Sequence, residues 1–180
     1  RPSQFKKLIV ASSMSIYGEG AYRCEACGTD SYPQLRSDEQ LAAHDWEFKC
    51  ETCRGLLATV GTPEEKTLFP TSVYAVSKQD QEQYCLAVGR AYKIPTVAFR
   101  YFNVYGTRQA LSNPYTGVCA IFSSRLLNDQ APTIFEDGEQ SRDFVHVRDI
   151  VQANLLALET DRGDYHAMNI GTGRATSVKQ

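Results

Sequence analysis

The chain has 180 residues, 42% hydrophobic and 22% charged, with 19 Lys and Arg against 21 Asp and Glu and a net charge of −2. This is ordinary globular usage, which excludes a disordered chain. Near-neutrality argues against a protein that holds nucleic acid by its phosphates, and no apolar run approaches the roughly 18 residues of a membrane helix.

Residues 1–7 lack the apolar core and cleavage site of a signal peptide, so a cytoplasmic location is expected. No starting Met is present, and the chain reads as a piece of something longer. Phe5 to Ala11 ends in an apolar run that predicts a buried strand, with Ser12 to Gly18 as its polar exit. From Glu19 to Gly61 the periodicity breaks down. This stretch holds four of the six cysteines, the single Trp (Trp46) and a short helical candidate at Asp38 to Ala43.

Thr71 or Ser72 can cap a helix to about Tyr92, with Val76, Tyr84, Val88, Ala91 and Tyr92 as its apolar side. Thr96 to Phe102 is rich in strand formers, and Asn103 to Gly106 is its exit loop. After a loop with Asn113-Pro114, Val118, Ile121, Phe122 and Leu126 predict a second helix. Thr133–Glu136 and Arg142–His146 read as two strands joined by a turn at Asp137-Gly138. Val147, Val151, Leu155 and Leu158 mark a third helix, and Ala167 to Gly171 a last strand. Strands alternating with helices imply an α/β fold with a mostly parallel sheet.

Cys24-x2-Cys27 and Cys50-x2-Cys53 stand 22 residues apart. Two such pairs can wrap one tetrahedral ion, and four thiolates point to a structural zinc site. The stretch is too short for its own core, so metal would supply much of its folding energy. Residues 19–61 carry both signs of charge without a basic cluster, which favours a lid or interaction flap over a nucleic-acid module. His44 lies between the pairs, but four cysteines suffice. Cys85 and Cys119 read as small core residues. His146 reads as a structural hydrogen-bonding residue, and His166 has no visible partner.

Tyr74 and Lys78 sit four residues apart on one helical face. A cation about 5 Å from a phenol favours the phenolate by about 3 kcal/mol at an effective dielectric near 20, so such a pair can take a proton from a hydroxyl. Taken alone, the spacing is explained better by a packed Tyr beside a solvated Lys. It is not alone. Ser12-Ser13-x-x-Ile16-Tyr17-Gly18 precedes it, and Arg100-Tyr101-Phe102-Asn103-Val104-Tyr105-Gly106, Arg142-Asp143-Phe144-Val145-His146-Val147-x-Asp149 and Asn169-Ile170-Gly171 follow it. In this order the blocks resemble the extended short-chain dehydrogenase/reductase family, the NAD-dependent nucleotide-sugar epimerases and dehydratases.

The resemblance implies roles. Tyr74 is the catalytic base, Lys78 holds the nicotinamide ribose and tunes the Tyr, and Ser13 hydrogen-bonds the reacting hydroxyl. Tyr101 lies beside the nicotinamide. Asn103 and Arg142 contact the substrate diphosphate, a fit for a planar, always-charged fork; without the flanking match, Arg142 would read as a surface charge. Family dehydratases carry an Asp-Glu pair directly after the catalytic Ser or Thr. Here Met14 and Ser15 occupy those positions, and Met has no titratable proton. The expected reaction is therefore C4 epimerisation of a dTDP- or UDP-linked sugar through a transient keto sugar, in a homodimer. The cysteine insert, residues 109–115 and residues 134–140 resemble bacterial dTDP-L-rhamnose 4-epimerases within that family.

The family's glycine-rich dinucleotide loop is absent, and Gly171-Thr172-Gly173 lies too near the C-terminus to serve. The expected fold is a partial Rossmann-like doubly wound sheet lacking its N-terminal half. Residues 1–18 and 62–112 are its C-terminal half, 19–61 a four-cysteine zinc-ribbon-like insertion, and 113–180 mixed substrate-domain and sheet segments. The alternatives are a non-catalytic zinc-binding interaction module or, among enzymes, a sugar-nucleotide dehydratase, reductase or decarboxylase.

Overall fold

A computed structural model describes residues 5–110 and 117–180. The Asn113-Pro114 loop, most of the 109–115 stretch and the boundary at 112 lie outside the described residues. In chain order the elements are β1 (Leu8–Ser13), a 3-10 turn (Met14–Tyr17), β2 (Ala21–Cys24), β3 (Asp30–Ser31), α1 (Asp38–Ala42), β4 (Leu57–Val60), α2 (Val73–Tyr92) and β5 (Thr96–Tyr101). They continue with β6 (Asn103–Tyr105), α3 (Val118–Leu127), β7 (Ser141–Arg142), β8 (Phe144–His146), α4 (Val147–Glu159), β9 (Ala167–Ile170) and β10 (Thr176–Ser177).

β5 is the centre of a parallel sheet ordered β1-β5-β9. A central parallel strand is covered on both faces, and Thr96 through Arg100 are all buried. Side chains alternate across it. Ala98 packs with Val10 and Leu86 of α2 on one face, while Val97 and Phe99 pack with Ala157 of α4 on the other. One helix per face is the doubly wound α/β arrangement. Register sets Ser13 opposite Tyr101, and Tyr101 opposite Ile170, so the carboxyl ends of all three strands meet at one edge.

Ser72 caps α2 by accepting from the amide of Ala75 at 3.1 Å, and Lys93 closes it in a left-handed conformation just before Pro95. The helix turns a different side inward than its apolar pattern predicts. Ala75, Glu82, Leu86 and Gly89 are buried, whereas Val76, Tyr84, Val88 and Tyr92 are exposed. The deciding residue is charged: Glu82 points at Arg100 of β5, and the pair takes the inward face. α4 behaves similarly, with Val151, Leu155 and Leu158 outward and Ala153 and Ala157 against the sheet.

Two local expectations fail. Thr133–Glu136 forms no strand, and β7 pairs instead with β10. The 103–106 exit is not a loop throughout, because β6 pairs in parallel with β8. In both cases distant partners, invisible to local pattern, supply the backbone hydrogen bonds.

Residues 21–60 build a separate antiparallel sheet ordered β3-β2-β4. Its interior is Cys24, Cys50 and Leu57, with Tyr22 and Phe48 packed against them. Among the described residues no helix is long and apolar enough to cross a membrane.

Candidate active site and cysteine cluster

The edge where β1 and β5 end opens into a cavity of about 230 Å³, lined by Ser13, Met14, Tyr74, Tyr101 and Asn103 among others. Each arrives on a different element. Ser13 ends β1 and caps the 3-10 turn; its Oγ accepts from the amide of Ser15 at 3.2 Å and from the Ser15 hydroxyl at 2.9 Å. With both acceptor positions used, the Ser13 proton is the one left to donate. Tyr74 lies on the first turn of α2, 44% exposed. Lys78, one turn on, sets its ammonium 6.0 Å from the Tyr74 ring centroid. That ammonium donates to the Ala11 carbonyl at 2.8 Å and to Gln81 at 3.1 Å, which leaves a third N–H for a ligand. The Tyr101 hydroxyl is held by the Asn154 side-chain amide at 2.9 Å. The Asn103 amide reaches the Met14 sulfur at 3.5 Å and the Asp143 carbonyl at 3.4 Å.

Arg142 lines a second cavity of about 500 Å³, which it shares with Arg125, Thr133, Ile134 and Phe135. Asn103 and Val118 line both cavities, so the two adjoin. The structure thus brings Ser13, Tyr74 and Tyr101 to one chamber, Lys78 beside Tyr74, and Arg142 to its neighbour, with Asn103 between.

Asp143, next to Arg142, accepts from the amides of Thr172 and Gly173, each at 2.8 Å, and from the Thr172 hydroxyl at 2.7 Å. A Cβ on Gly171 would stand 2.7 Å from its carboxylate. This close approach accounts for the glycine at the end of β9.

Sequence reasoning missed the layer beneath the chamber. Glu82 accepts from Ser12 at 2.6 Å and from the Arg100 guanidinium at 2.7 and 3.1 Å. Arg100 also donates to the Tyr17 hydroxyl at 2.6 Å and the Glu64 carbonyl at 2.9 Å, and Tyr17 donates to Asn169 at 2.8 Å. Burial pushes the Tyr17 phenol above its ordinary pKa, and the hydrogen bond from Arg100 opposes that only in part. The signal was present as a Glu on the side of the helix that carries Ala75, Leu86 and Gly89, and an Arg inside a strand of β-formers.

The four insert cysteines converge, their Sγ atoms all within 4.8 Å of one another. Cys24 and Cys53 are 3.4 Å apart, and Cys27 and Cys50 3.7 Å. A tetrahedral site with Zn–S of about 2.3 Å needs S···S near 3.8 Å, so the donor set fits. Each pair closes with the same turn: the Gly28 amide donates to the Cys24 carbonyl and the Arg54 amide to the Cys50 carbonyl, both at 2.9 Å. A Cβ on Gly55 would stand 3.3 Å from two of the sulfurs. The Thr29 hydroxyl holds the Cys27 thiol down at about 6. His44 takes no part: it is exposed and stacks edge-on against Trp46. Cys85 packs against the Val10 cluster, and Cys119 lines the first cavity. His146 caps α4, accepting from the Arg148 amide, and His166 meets the Asp164 carbonyl of its own turn at 2.7 Å.

A parallel α/β sheet whose strand ends meet a Tyr-x3-Lys helix fits one class of protein, and the family model for it matches residues 55–171: the chain belongs to the NAD dependent epimerase/dehydratase family. That match begins just after the last cysteine of the cluster. The chain is 37% identical over 171 residues to a dTDP-L-rhamnose 4-epimerase from Burkholderia thailandensis, covering 95% of this chain and 46% of that protein. Its fold is similar to UDP-glucose 4-epimerase from Thermotoga maritima solved with UDP-glucose, at a TM-score of 0.71 and 35% identity, over 97% of this chain and 44% of that one. It is also similar to UDP-glucuronic acid 4-epimerase from Bacillus cereus in complex with NAD, at a TM-score of 0.70 and 26% identity, over 99% and 45%. The chain therefore spans less than half the length of these relatives.

Proposed function

We propose that this chain is the substrate-side part of an NAD-dependent enzyme that inverts C4 of a dTDP- or UDP-linked sugar. The supporting observation is the shared chamber: Ser13, Tyr74 and Tyr101 line one cavity, with the Lys78 ammonium beside the phenol. The residues fit the nicotinamide end of a dinucleotide, since Lys78 keeps one N–H to offer a ribose and Tyr101 walls the same cavity. When bound, NAD would accept hydride from the sugar carbon and return it to the opposite face. Tyr74 takes the proton of the C4 hydroxyl, and Lys78 steadies the resulting phenolate. Ser13 donates its remaining proton to the same sugar oxygen and keeps it aligned. Asn103 and Arg142 hold the diphosphate in the adjoining cavity. Met14 and Ser15, placed where a dehydratase needs its acid pair, offer no carboxyl group to protonate a leaving hydroxyl.

In this reading residues 1–18 and 62–112 are the C-terminal half of the Rossmann-type domain, 19–61 the insertion, and 113–180 mixed substrate-domain and sheet segments. The four cysteines bind one structural zinc ion. Homodimerisation in the cytoplasm completes the proposal, supported by the exposed apolar stripe of α2.

The test is native mass spectrometry of the chain with zinc and NAD, followed by proton NMR at C4 of dTDP-rhamnose and UDP-glucose. The enzymatic assay uses a form that also carries a glycine-rich NAD half. Tyr74→Phe should reduce epimerisation by about a hundredfold or more. Turnover of that variant at the unsubstituted rate overturns the assignment of the base.

A further inference from the structure

The cysteine insert is tied to the cavity that Arg142 lines. Arg36, between β3 and α1, grips Glu136 with both ends of its guanidinium, Nη1 to Oε2 and Nη2 to Oε1, each at 2.9 Å. The two residues are 100 positions apart in sequence, and their side chains are only 19% and 26% exposed. On the insert side Arg36 is locked in turn: it donates to the Trp46 carbonyl at 3.3 Å and lies 5.8 Å over the Trp46 ring. On the other side, Glu136 follows directly on Thr133, Ile134 and Phe135, which wall the second cavity. Glu136 has φ of 55°, a left-handed conformation that residues with a side chain rarely adopt. Such a conformation persists only where its surroundings hold it. Tyr22 of β2 packs against the cysteine cluster and lies within electrostatic reach of both Arg36 and Arg142.

We propose that the insertion is a metal-dependent strap on the substrate cavity, in which Arg36 is a positioning residue that holds the 133–136 wall through Glu136, so that metal occupancy sets affinity for a nucleoside diphosphate. The inference rests on the reading of the four cysteines as a zinc site and of the second cavity as the diphosphate site. The insert's interior is small, so its fold depends on the metal. Loss of the metal frees Arg36, and Glu136 loses the partner that keeps the wall in place.

The test is hydrogen exchange of the 180-residue chain by mass spectrometry, with metal content measured in parallel and dTDP and UDP binding measured by calorimetry. Chelation should speed exchange both at 20–60 and at 133–140. Arg36→Met should retain one zinc per chain and leave exchange at the two cysteine turns, 24–28 and 50–55, and in β5 unchanged, yet speed exchange at 133–140 roughly tenfold. The same variant should weaken dTDP or UDP about three- to tenfold. Exchange at 133–140 equal to that of the unsubstituted chain overturns the strap. A chain that takes up no zinc overturns the metal reading, and metal dependence with it. Arg142→Met separates the remaining case: if it binds nucleotide as well as the unsubstituted chain, the diphosphate reading fails, while exchange at 133–140 still decides the strap.

Discussion

Replacing Glu82 by Gln probes the layer on which the chamber stands. Both carboxylate oxygens are acceptors, one from Arg100 Nη2 and the other from Ser12 and Arg100 Nε. An amide substitutes a donor for one of them and aims N–H at a guanidinium or a hydroxyl proton. Both partners are buried, Glu82 at 2% and Arg100 at 6% exposure, so water cannot replace the lost acceptor. Breaking one side of a buried pair costs about 3–5 kcal/mol. Arg100 keeps two other acceptors, Tyr17 and the Glu64 carbonyl, which puts Glu82→Gln near the lower end, about 3 kcal/mol. That is a large share of the roughly 5–15 kcal/mol that stabilises a domain. Urea unfolding of the zinc-loaded chain measures it, and the cycle with Arg100→Met and Glu82→Leu measures the coupling. The singles should sum to at least about 2 kcal/mol more than the double variant, because the double leaves no orphaned charge. Additive singles, or a Glu82→Gln loss below about 1 kcal/mol, would refute the view that this pair decides which face of α2 turns inward.

Three further outcomes are expected. Cys50→Ser should abolish stoichiometric zinc binding, and exchange at 20–60 should rise to the level of a chelated chain; retained zinc at one per chain would remove Cys50 from the ligand set. Asp143→Asn keeps the shape but loses the charge that gathers three donors, and should cost about 1–3 kcal/mol with faster exchange at 171–174; an unchanged denaturation midpoint would contradict it. The Tyr17 phenol keeps its proton in the folded chain above pH 10, where an unfolded tyrosine loses it. Folding then binds the extra proton, so this contribution is complete below about pH 10 and is lost as pH rises through the folded pKa. Tyr17→Phe should flatten that alkaline slope in a stability-versus-pH series; an unaltered slope would assign it elsewhere.

Motifs and secondary structure were legible for different reasons. The two Cys-x2-Cys pairs stand out through residue type and spacing, and Tyr74 with Lys78 and the strand-exit blocks at Ser13 and Arg100–Gly106 stand out as an ordered set that resembles a family. β1, α2, β5, α3, α4 and β9 declare themselves through local period and caps. The short pairings β6-β8 and β7-β10 are made wholly by partners distant in sequence, and Thr133–Glu136 has strand composition but no strand beside it. Which side of a helix is buried was the least legible property. Apolar periodicity on α2 and α4 identified a stripe without identifying the surface beneath it.

Glu82 shows why that failure is physical. A hydropathy pattern scores a buried carboxylate as a mistake, yet here the carboxylate, the guanidinium of Arg100 and the hydroxyls of Ser12 and Tyr17 satisfy one another. The cluster ties α2 to β1 and β5 directly below the ends that line the chamber. Glu82 lies one turn beyond Lys78 and two beyond Tyr74, while Ser12 and Arg100 each immediately precede a chamber residue, Ser13 and Tyr101. An apolar contact would tolerate a helix that slides by a few tenths of an ångström, but a forked ion pair with hydrogen bonds at 2.6–2.7 Å does not. The polar core thus fixes the register between the helix that carries Tyr74 and the strands that carry Ser13 and Tyr101. Where positional accuracy matters for chemistry, the residues that violate the hydrophobic pattern are the ones that supply it.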